Sequence, residues 1–524
     1  MPAAHLWYQG RIFTGRRFAE ALLVDDGRVI AVGPIEEVRR SAPTGTEVHD
    51  LAGRFLIPGL IDAHLHLLEI ARMRTSLDVR GARSFEALAE RIRAWGRDHP
   101  KGAIVGGGWE AEQFAEGRAP DREVLDRAEP DRPVVLYHTS GHSALVSGAA
   151  LAAVGIDAAT PDPPGGRIGR RPDGSPNGLL FEDAMRSVGT FVSAEFPPDP
   201  ATLGSTLASL PALGLTTVAT MSAGAVESRI LRELSGGARP TPRVRVYARL
   251  ARLTDFSDGE LTPRDPDGRF GVIGVKAFTD GAFGPRTAWL SEPYADRPET
   301  DGLPVGSEQE LAESIAAAAA RGLAPALHAI GDRAVARALR LVAPWVGKTP
   351  SPARIEHAAL TPPAILGELD RIRPALVVQP GFVWSDAWLG ERLGRSRARW
   401  AYAFRSLIDR GHLLAGSSDA PFDPIDPFRG LAALHCRRDP LGRSANPAPE
   451  EALSAEEAFA AYTVNGGRAL GEDDLGRLEP GARADLVIVD APDAGRAIQE
   501  GASGVRETWV AGRCLYARPN RSGG

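Results

Sequence analysis

Residues 58–66 read Pro-Gly-Leu-Ile-Asp-Ala-His-Leu-His, a short apolar run that ends in two histidines two positions apart. Alternation along a strand puts His64 and His66 on the same face. Paired imidazoles at a strand end suit a metal site. A single strand-end histidine is more often a hydrogen-bonded core residue, so the rest of the chain has to support the metal hypothesis.

Further apolar runs follow this stretch and alternate with helical segments, the pattern of βα units. The eight predicted strands are residues 60–66, 215–221, 244–250, 272–278, 323–328, 353–357, 375–379 and 412–417. Predicted helices include residues 308–321, 331–343 and 363–372, and Ser454-Ala-Glu-Glu457 is a capping box that opens another. Eight such units predict an α/β fold with a closed (β/α)8 TIM-type barrel.

The two chain ends and one long gap do not fit the βα pattern. Both ends are rich in β-type alternation, with a hairpin turn at Asp26-Gly27, so we expect one small β-sandwich domain from residues 1–57 and 469–524. The barrel domain spans residues 58–468. About 150 residues separate its first two strands, too many for a loop, so residues 80–200 predict an inserted α/β subdomain. Its Pro/Gly-rich stretch, residues 160–178, is expected to be a mobile surface loop.

Composition narrows the class of protein. The net charge of -6 over 524 residues gives no sign of a nucleic-acid or anionic-membrane surface. Two cysteines exclude a disulfide framework and argue against a cysteine-based metal site. No secretory signal or membrane-spanning apolar run is evident. We expect a cytoplasmic protein, a homodimer, with a small-molecule substrate.

Metal-ligating side chains fall at the ends of several predicted strands. Besides the first pair they are Lys276, His328, His357 and Asp419. Because strand ends meet at one mouth of a barrel, this set predicts a site for one or two divalent metals, with Zn²⁺ expected. Asp419, in Gly-Ser-Ser-Asp-Ala-Pro, could instead cap a turn.

Lys276 is the most informative single residue. Lysine occurs only at positions 101, 276 and 348, whereas the chain has 61 basic residues. Burial on an apolar strand favours the neutral amine, which can take up CO₂ to form a carbamate that bridges two cations. Arginine cannot do this. The hypothesis is a carboxylated Lys276, and the alternative is a buried salt bridge, for instance to Asp280.

Weaker candidates lie outside the ligand set. His142 is a candidate catalytic and substrate-binding residue in the insert, and Arg286 is a candidate partner of a substrate carbonyl or carboxylate. Glu182 and Gln379 are further substrate-binding candidates. Trp109 fits a pocket wall and a core position equally well. His138 is expected to be structural, although its role stays open.

Several of these segments together resemble the amidohydrolase superfamily, and more narrowly amidohydrolase family 3, the YtcJ-like branch. The matching segments cover the chain nearly end to end and are PGLIDAHLHL, GGGWE, SGHSALV, VKAFTDGAFGPRTAWL, HAIGDRAV, RIEHA, VQPGF and GSSDAPF. The chain departs from the usual DGH wording at His138-Thr-Ser-Gly-His142.

The resemblance implies a role for each ligand. His64 and His66 would hold the more buried metal with Asp419, His328 and His357 would hold the second, and a carboxylated Lys276 would bridge them. It also implies hydrolysis of N-substituted formamides or other amides.

The expected reaction is hydrolysis of a non-peptide C–N bond in an amide, N-substituted formamide or cyclic amide by a metal-activated hydroxide. Asp419 is the expected general acid/base, and His142 or Arg286 would steady the oxyanion. The alternatives are a deaminase or esterase that uses the same site, and a catalytically silent regulatory or binding protein on this scaffold.

Overall fold

The computed structural model describes residues 4–237, 240–261, 264–265, 267–437 and 448–519. Its centre is an eight-stranded parallel sheet whose strands neighbour one another in sequence order. The strands are Leu60–Leu65, Leu215–Ala223, Arg243–Arg249, Phe270–Phe278, Ala324–Ala329, Arg354–His357, Ala375–Val378 and Leu414–Gly416. The predicted barrel is confirmed, and only the strand ends differ from the prediction.

The first and last strands meet through the residues that follow them. The Asp419 N–H donates to the His64 carbonyl over 2.8 Å, and the His66 N–H donates to the Ala420 carbonyl, also over 2.8 Å. Backbone hydrogen bonds therefore join the two ends of the sheet. They bring Asp419 beside the two histidines of the first strand.

Helices follow most of the strands and pack apolar faces against them. The helices of the barrel region with six or more residues are Leu67–Met73, Pro200–Ser209, Ala225–Gly236, Glu308–Ala320, Asp332–Val342, Pro363–Ile372, Phe404–Asp409, Pro427–Cys436, Ala455–Tyr462 and Val464–Ala469. Three short helices follow the seventh strand, at Phe382–Ser385, Leu389–Leu393 and Arg395–Ala398. The predicted capping box forms, with Ser454 and Glu457 each bonding the other's backbone.

Strands from both chain ends share a sheet. This six-stranded sheet contains, in order, Arg513–Ala517, Val505–Val510, Leu486–Val489, Phe55–Pro58, Arg11–Phe13 and Phe18–Ala19. A four-stranded sheet contains Arg28–Gly33, Ala21–Asp25, His5–Tyr8 and Glu47–Asp50. One apolar cluster contains residues of both sheets, among them Trp7, Leu56 and Trp509. Helices Ile35–Arg40 and Ala494–Glu500 belong to the same chain ends.

The segment between the first two barrel strands has its own sheet. Its strands, in order, are Gly166–Arg170, Pro176–Glu182, Ser143–Val146, Val134–His138, Ile104–Trp109 and Leu77–Asp78. Its helices are Phe85–Asp98, Arg122–Ala128, Gly148–Ala153 and Arg186–Glu195. The domain boundaries drawn from the sequence stay a prediction.

The expectation of a loop throughout residues 160–178 is wrong. Gly166–Arg170 pairs antiparallel with Pro176–Glu182. The turn between them is closed by a 2.8 Å hydrogen bond from the Arg171 N–H to the Ser175 carbonyl, and Gly174 has φ +86°. The glycine and proline residues here therefore shape a hairpin turn.

Among the described helices, none combines the length and apolar character needed to cross a membrane.

Candidate metal centre

Two histidines of the first strand converge on Asp419. Its Oδ1 lies 3.1 Å from Nε2 of His64 and 3.1 Å from Nε2 of His66. The three side chains come together because of the backbone bonds that join the first and last strands. His357 also belongs to this cluster, since one ligand atom each from His64, His357 and Asp419 lie within 4.8 Å of one another.

Asp419 is ionised in this setting. Burial opposes its charge, but the contacts with His64 and His66 outweigh burial and hold its pKa well below the ordinary value. The residue has φ +57°, a left-handed conformation that aspartate tolerates better than most side chains. An anionic carboxylate among imidazoles is suited to hold a cation.

His328 and His357 follow neighbouring strands, and their rings lie 4.4 Å apart between centroids. The His357 Nδ1–H donates to Gln379 Oε1 over 2.6 Å, and the His328 Nε2–H donates to the Gly281 carbonyl over 3.0 Å. Burial lowers the pKa of both imidazoles well below the ordinary value. Each ring is therefore neutral, with its remaining nitrogen available to a metal.

Lys276 lies in the fourth strand and is 1% exposed. Burial lowers the pKa of its ammonium group to about 8. In the part of the chain that the structure describes, its Nζ has no ion-pair partner and lies 5.0 Å from the Phe278 ring centroid. The alternative of an ion pair to Asp280 is not seen, because that carboxylate accepts three backbone N–H groups, from Trp289, Ile330 and Gly331.

Two buried carboxylates beside His64 were not singled out by the sequence analysis. Glu356 Oε2 accepts from His64 Nδ1–H over 2.5 Å, and Asp62 Oδ1 accepts from the His64 backbone N–H over 3.2 Å. Asp62 Oδ2 has no hydrogen-bond partner among the described residues, and burial raises the pKa of the group to about 6. Alternation along the strand was an available signal for Asp62, which lies two positions before His64 and so on the same face, but it gave none for Glu356, which lies one position before His357.

The insert brings His142 to the barrel mouth. Its ring lies 4.8 Å from that of His328, and its Nδ1 lies 2.9 Å from Glu182 Oε2. Burial opposes a charge on His142, but Glu182 outweighs it and raises the pKa. Glu182 holds the ring through Nδ1, so Nε2 is the nitrogen available to a substrate.

The other two candidates in the insert, Trp109 and His138, contact each other and neighbouring residues of the insert. Trp109 is buried in the core of the insert and donates its indole N–H to the Leu136 carbonyl over 2.9 Å. His138 packs edge-on against Trp109, at 4.8 Å between ring centroids, and its Nδ1 accepts from the Ser140 backbone N–H. These contacts favour the core position for Trp109 and a structural role for His138.

Two predicted substrate-binding residues have partners within the protein. Gln379 bonds His357 through Oε1 and donates from Nε2 to Ser417 Oγ over 3.0 Å. The Arg286 guanidinium pairs with Asp296 at 2.7 Å, and Arg392 shares that carboxylate. A role of Gln379 or Arg286 toward substrate stays a prediction.

The residues present fit a divalent metal. Buried imidazoles ligate as neutral rings, and a ligating histidine usually donates its second N–H to an oxygen acceptor. His64, His328 and His357 each have such an acceptor. Together with Asp419 and Lys276, they form a donor set of nitrogen and oxygen that suits Zn²⁺.

Comparison with known proteins identifies the same family that the sequence motifs resemble. The model described as the amidohydrolase family matches residues 47–516. A Bacillus subtilis (strain 168) protein, named provisionally as the amidohydrolase YtcJ, is 31% identical over 98% of this chain and 99% of its own length. The N-substituted formamide deformylase of Arthrobacter pascens is 28% identical, over 90% of each chain.

A solved structure is similar over nearly the whole chain. It is that of an uncharacterized metal-dependent hydrolase from Pyrococcus horikoshii OT3. The TM-score is 0.76 at 30% identity, and the match covers 94% of this chain and 98% of that chain.

Proposed function

This chain belongs to the amidohydrolase family and is a metal-dependent hydrolase of carbon–nitrogen bonds other than peptide bonds; from that premise, we propose that its substrate is an N-substituted formamide or a related amide. The observation that carries the hydrolytic chemistry is the ionised Asp419, held between His64 and His66, and the similarity to the N-substituted formamide deformylase of Arthrobacter pascens supports the substrate class. A carboxylate in that position can move a proton between water and a leaving nitrogen.

We assign the ligand roles by position. His64, His66 and Asp419 would hold one Zn²⁺, and His328 and His357 would hold a second. Lys276, carboxylated on Nζ, would add a further carboxylate ligand to this set. When bound, the metal lowers the pKa of a water molecule and polarises the substrate carbonyl.

Asp419 and His142 have separate roles: Asp419 transfers a proton, and His142 stabilises the negative charge that develops on the substrate oxygen. Asp419 accepts the proton of the attacking water and delivers it to the leaving amine nitrogen. His142, oriented by Glu182, donates from Nε2 to the oxygen that gains charge at the carbonyl carbon. We propose His142 rather than Arg286 for this role, because the Arg286 guanidinium is paired with Asp296.

Three half-buried phenylalanines favour an apolar group on the substrate nitrogen. The Phe422 ring lies 5.3 Å from His66, Phe278 lies 5.2 Å from His328, and Phe382 lies 6.3 Å from His357, all between centroids. These rings surround the predicted ligands with apolar surface. They suit an alkyl or aryl N-substituent better than a charged one.

The test is to measure metal content and formate release in the purified protein. We expect about one or two equivalents of Zn²⁺ and release of formate from N-alkyl and N-aryl formamides. His64→Ala and Lys276→Ala should lose metal and activity, because each removes a ligand. Lys348→Ala, at an exposed position, is the matched control.

Other results of this experiment would contradict the site or favour a different function. Full metal content and full activity in His64→Ala and Lys276→Ala would contradict the site. Ammonia release from amino-substituted rings, without formate release, would favour a deaminase, and cleavage of esters alone would favour an esterase. A metal-free protein that binds a small molecule tightly without turnover would favour a regulatory role.

A further inference from the structure

A second cluster of ligand-type side chains lies in the four-stranded sheet of the chain ends. Strand His5–Tyr8 runs parallel to strand Glu47–Asp50, with His5 opposite Glu47 and Trp7 opposite His49. Because side chains alternate along a strand, His5 and Trp7 share a face, as do Glu47 and His49. Two imidazoles and one carboxylate therefore meet on one face of neighbouring strands.

The distances match those between ligands of one metal ion. His5 Nδ1 lies 3.0 Å from His49 Nε2 and 3.4 Å from Glu47 Oε2. One ligand atom from each of the three residues lies within 4.8 Å of the others. Two nitrogen ligands of a tetrahedral Zn²⁺, each bound at about 2.0–2.1 Å, are separated by about 3.4 Å.

Aromatic packing holds the two imidazoles in place. The His49 ring stacks on Trp7 at 5.0 Å with an interplanar angle of 17°, and His5 meets the edge of Trp509, also at 5.0 Å. An imidazole held in a fixed orientation by its neighbours is suited to bind a metal.

The open side of the cluster faces solvent. The side chain of Glu47 is 60% exposed, whereas that of His5 is 10% exposed. His49 also lines a cavity of about 290 Å³, together with Asp50, Arg54 and Glu507. A bound ion could complete its coordination with water from this side, as three-ligand zinc sites do.

We propose that His5, Glu47 and His49 form a second metal site, for a divalent transition metal of the Zn²⁺ type, separate from the catalytic centre. The three residues would connect the first strand of the chain to the strand at residues 47–50. The site would stabilise the domain built from the chain ends, and it would take no part in hydrolysis. The competing arrangement is a metal-free hydrogen bond between the two imidazoles.

The test compares metal stoichiometry in untagged, full-length protein, because a histidine tag would add metal. The parent, His49→Gln and Glu47→Ala are dialysed against Zn²⁺, freed of excess ion and measured by mass spectrometry. We expect both variants to hold about one equivalent less than the parent, with unchanged hydrolase activity. His99→Gln, at an exposed histidine stacked on Trp95, is the control and should bind as the parent does.

Thermal unfolding provides a second measurement. Zn²⁺ added to the chelator-treated protein should raise the melting temperature of the parent more than that of His49→Gln or Glu47→Ala. Glu47→Ala changes an exposed side chain, so it tests the site even if His49→Gln folds poorly. Equal stoichiometry in the parent and Glu47→Ala would overturn the proposal and leave the hydrogen-bonded imidazole pair.

Discussion

Glu356 is a buried residue that orients His64, a predicted metal ligand. Its Oε1 pairs with Arg354 Nε at 2.5 Å, and its Oε2 accepts from His64 Nδ1–H. Burial opposes ionisation, but Arg354 and His64 hold the pKa of Glu356 at about 2. An ionised carboxylate at Nδ1 fixes the His64 tautomer and makes Nε2 a better ligand.

We therefore expect Glu356→Gln to weaken metal binding by about 10–100-fold, because the amide keeps the shape but removes the charge behind His64. Competition with a chelator measures the dissociation constant. Glu310→Gln, at an exposed helix position, is the control. An unchanged dissociation constant in Glu356→Gln would show that the carboxylate does not tune His64.

Among the elements, ion pairs connect the third barrel strand to the segment that follows helix Val464–Ala469. Arg245 in this strand pairs with Glu472 through two bonds, one of 2.8 Å, and Arg264 and Arg483 contact the same carboxylate. Burial opposes the charge on Glu472, but the three guanidinium groups hold its pKa at about 2. Neighbouring Arg243 pairs with Asp485 at 2.7 Å.

The lowered pKa of Glu472 determines how the stability of the fold changes with pH. Because the folded value of about 2 is below the unfolded value of 4.5, Glu472 adds stability that is complete above pH 4.5 and is lost as pH falls through about 2. Glu472→Gln should cost about 3 kcal/mol near pH 7. Its melting temperature should be below that of the parent at pH 7, with a narrower gap at pH 3.

Glu456→Gln, at an exposed position of a neighbouring helix, serves as the control and should follow the parent at both values of pH. A gap between Glu472→Gln and the parent that is equally wide at pH 7 and pH 3 would contradict the lowered pKa of Glu472.

On the scale of the whole molecule, the insert and the barrel both contribute side chains to the barrel mouth, where we propose the active site. The insert contributes the His142–Glu182 pair, and the barrel contributes His328 at 4.8 Å from the His142 ring. Glu182 has φ +49°, and its Oε1 has no hydrogen-bond partner among the described residues. Strained backbone and an unpaired buried oxygen are features that collect at functional sites.

We expect His142→Ala to keep its metal and to lose about 10²–10³-fold in kcat, because it removes an oxyanion donor without removing a ligand. Arg286→Ala should have a smaller effect, since that guanidinium is held by Asp296. Metal analysis beside steady-state kinetics separates the two contributions. Loss of metal in His142→Ala, or a larger loss of kcat in Arg286→Ala, would contradict this division of roles.

The sequence by itself determined the eight strands of the barrel and the residue types at their ends. Apolar runs, turn residues and capping signals are local, and each reports the conformation of its own segment. Strand alternation placed His64 and His66 on one face, and the topology of a parallel barrel placed every strand end at one mouth. The same local signals misled at residues 160–178, where glycine and proline mark a hairpin turn within paired strands.

Only the tertiary structure decided which atoms meet. The contacts between His64 and Asp419, between Glu356 and His64, and between Arg286 and Asp296 depend on how the sheet closes and how loops pack. The same holds for His5 and His49, which are 44 positions apart in the chain. Periodicity specifies the face that a side chain takes within its element, whereas an interatomic distance depends on the register between elements that are distant in sequence.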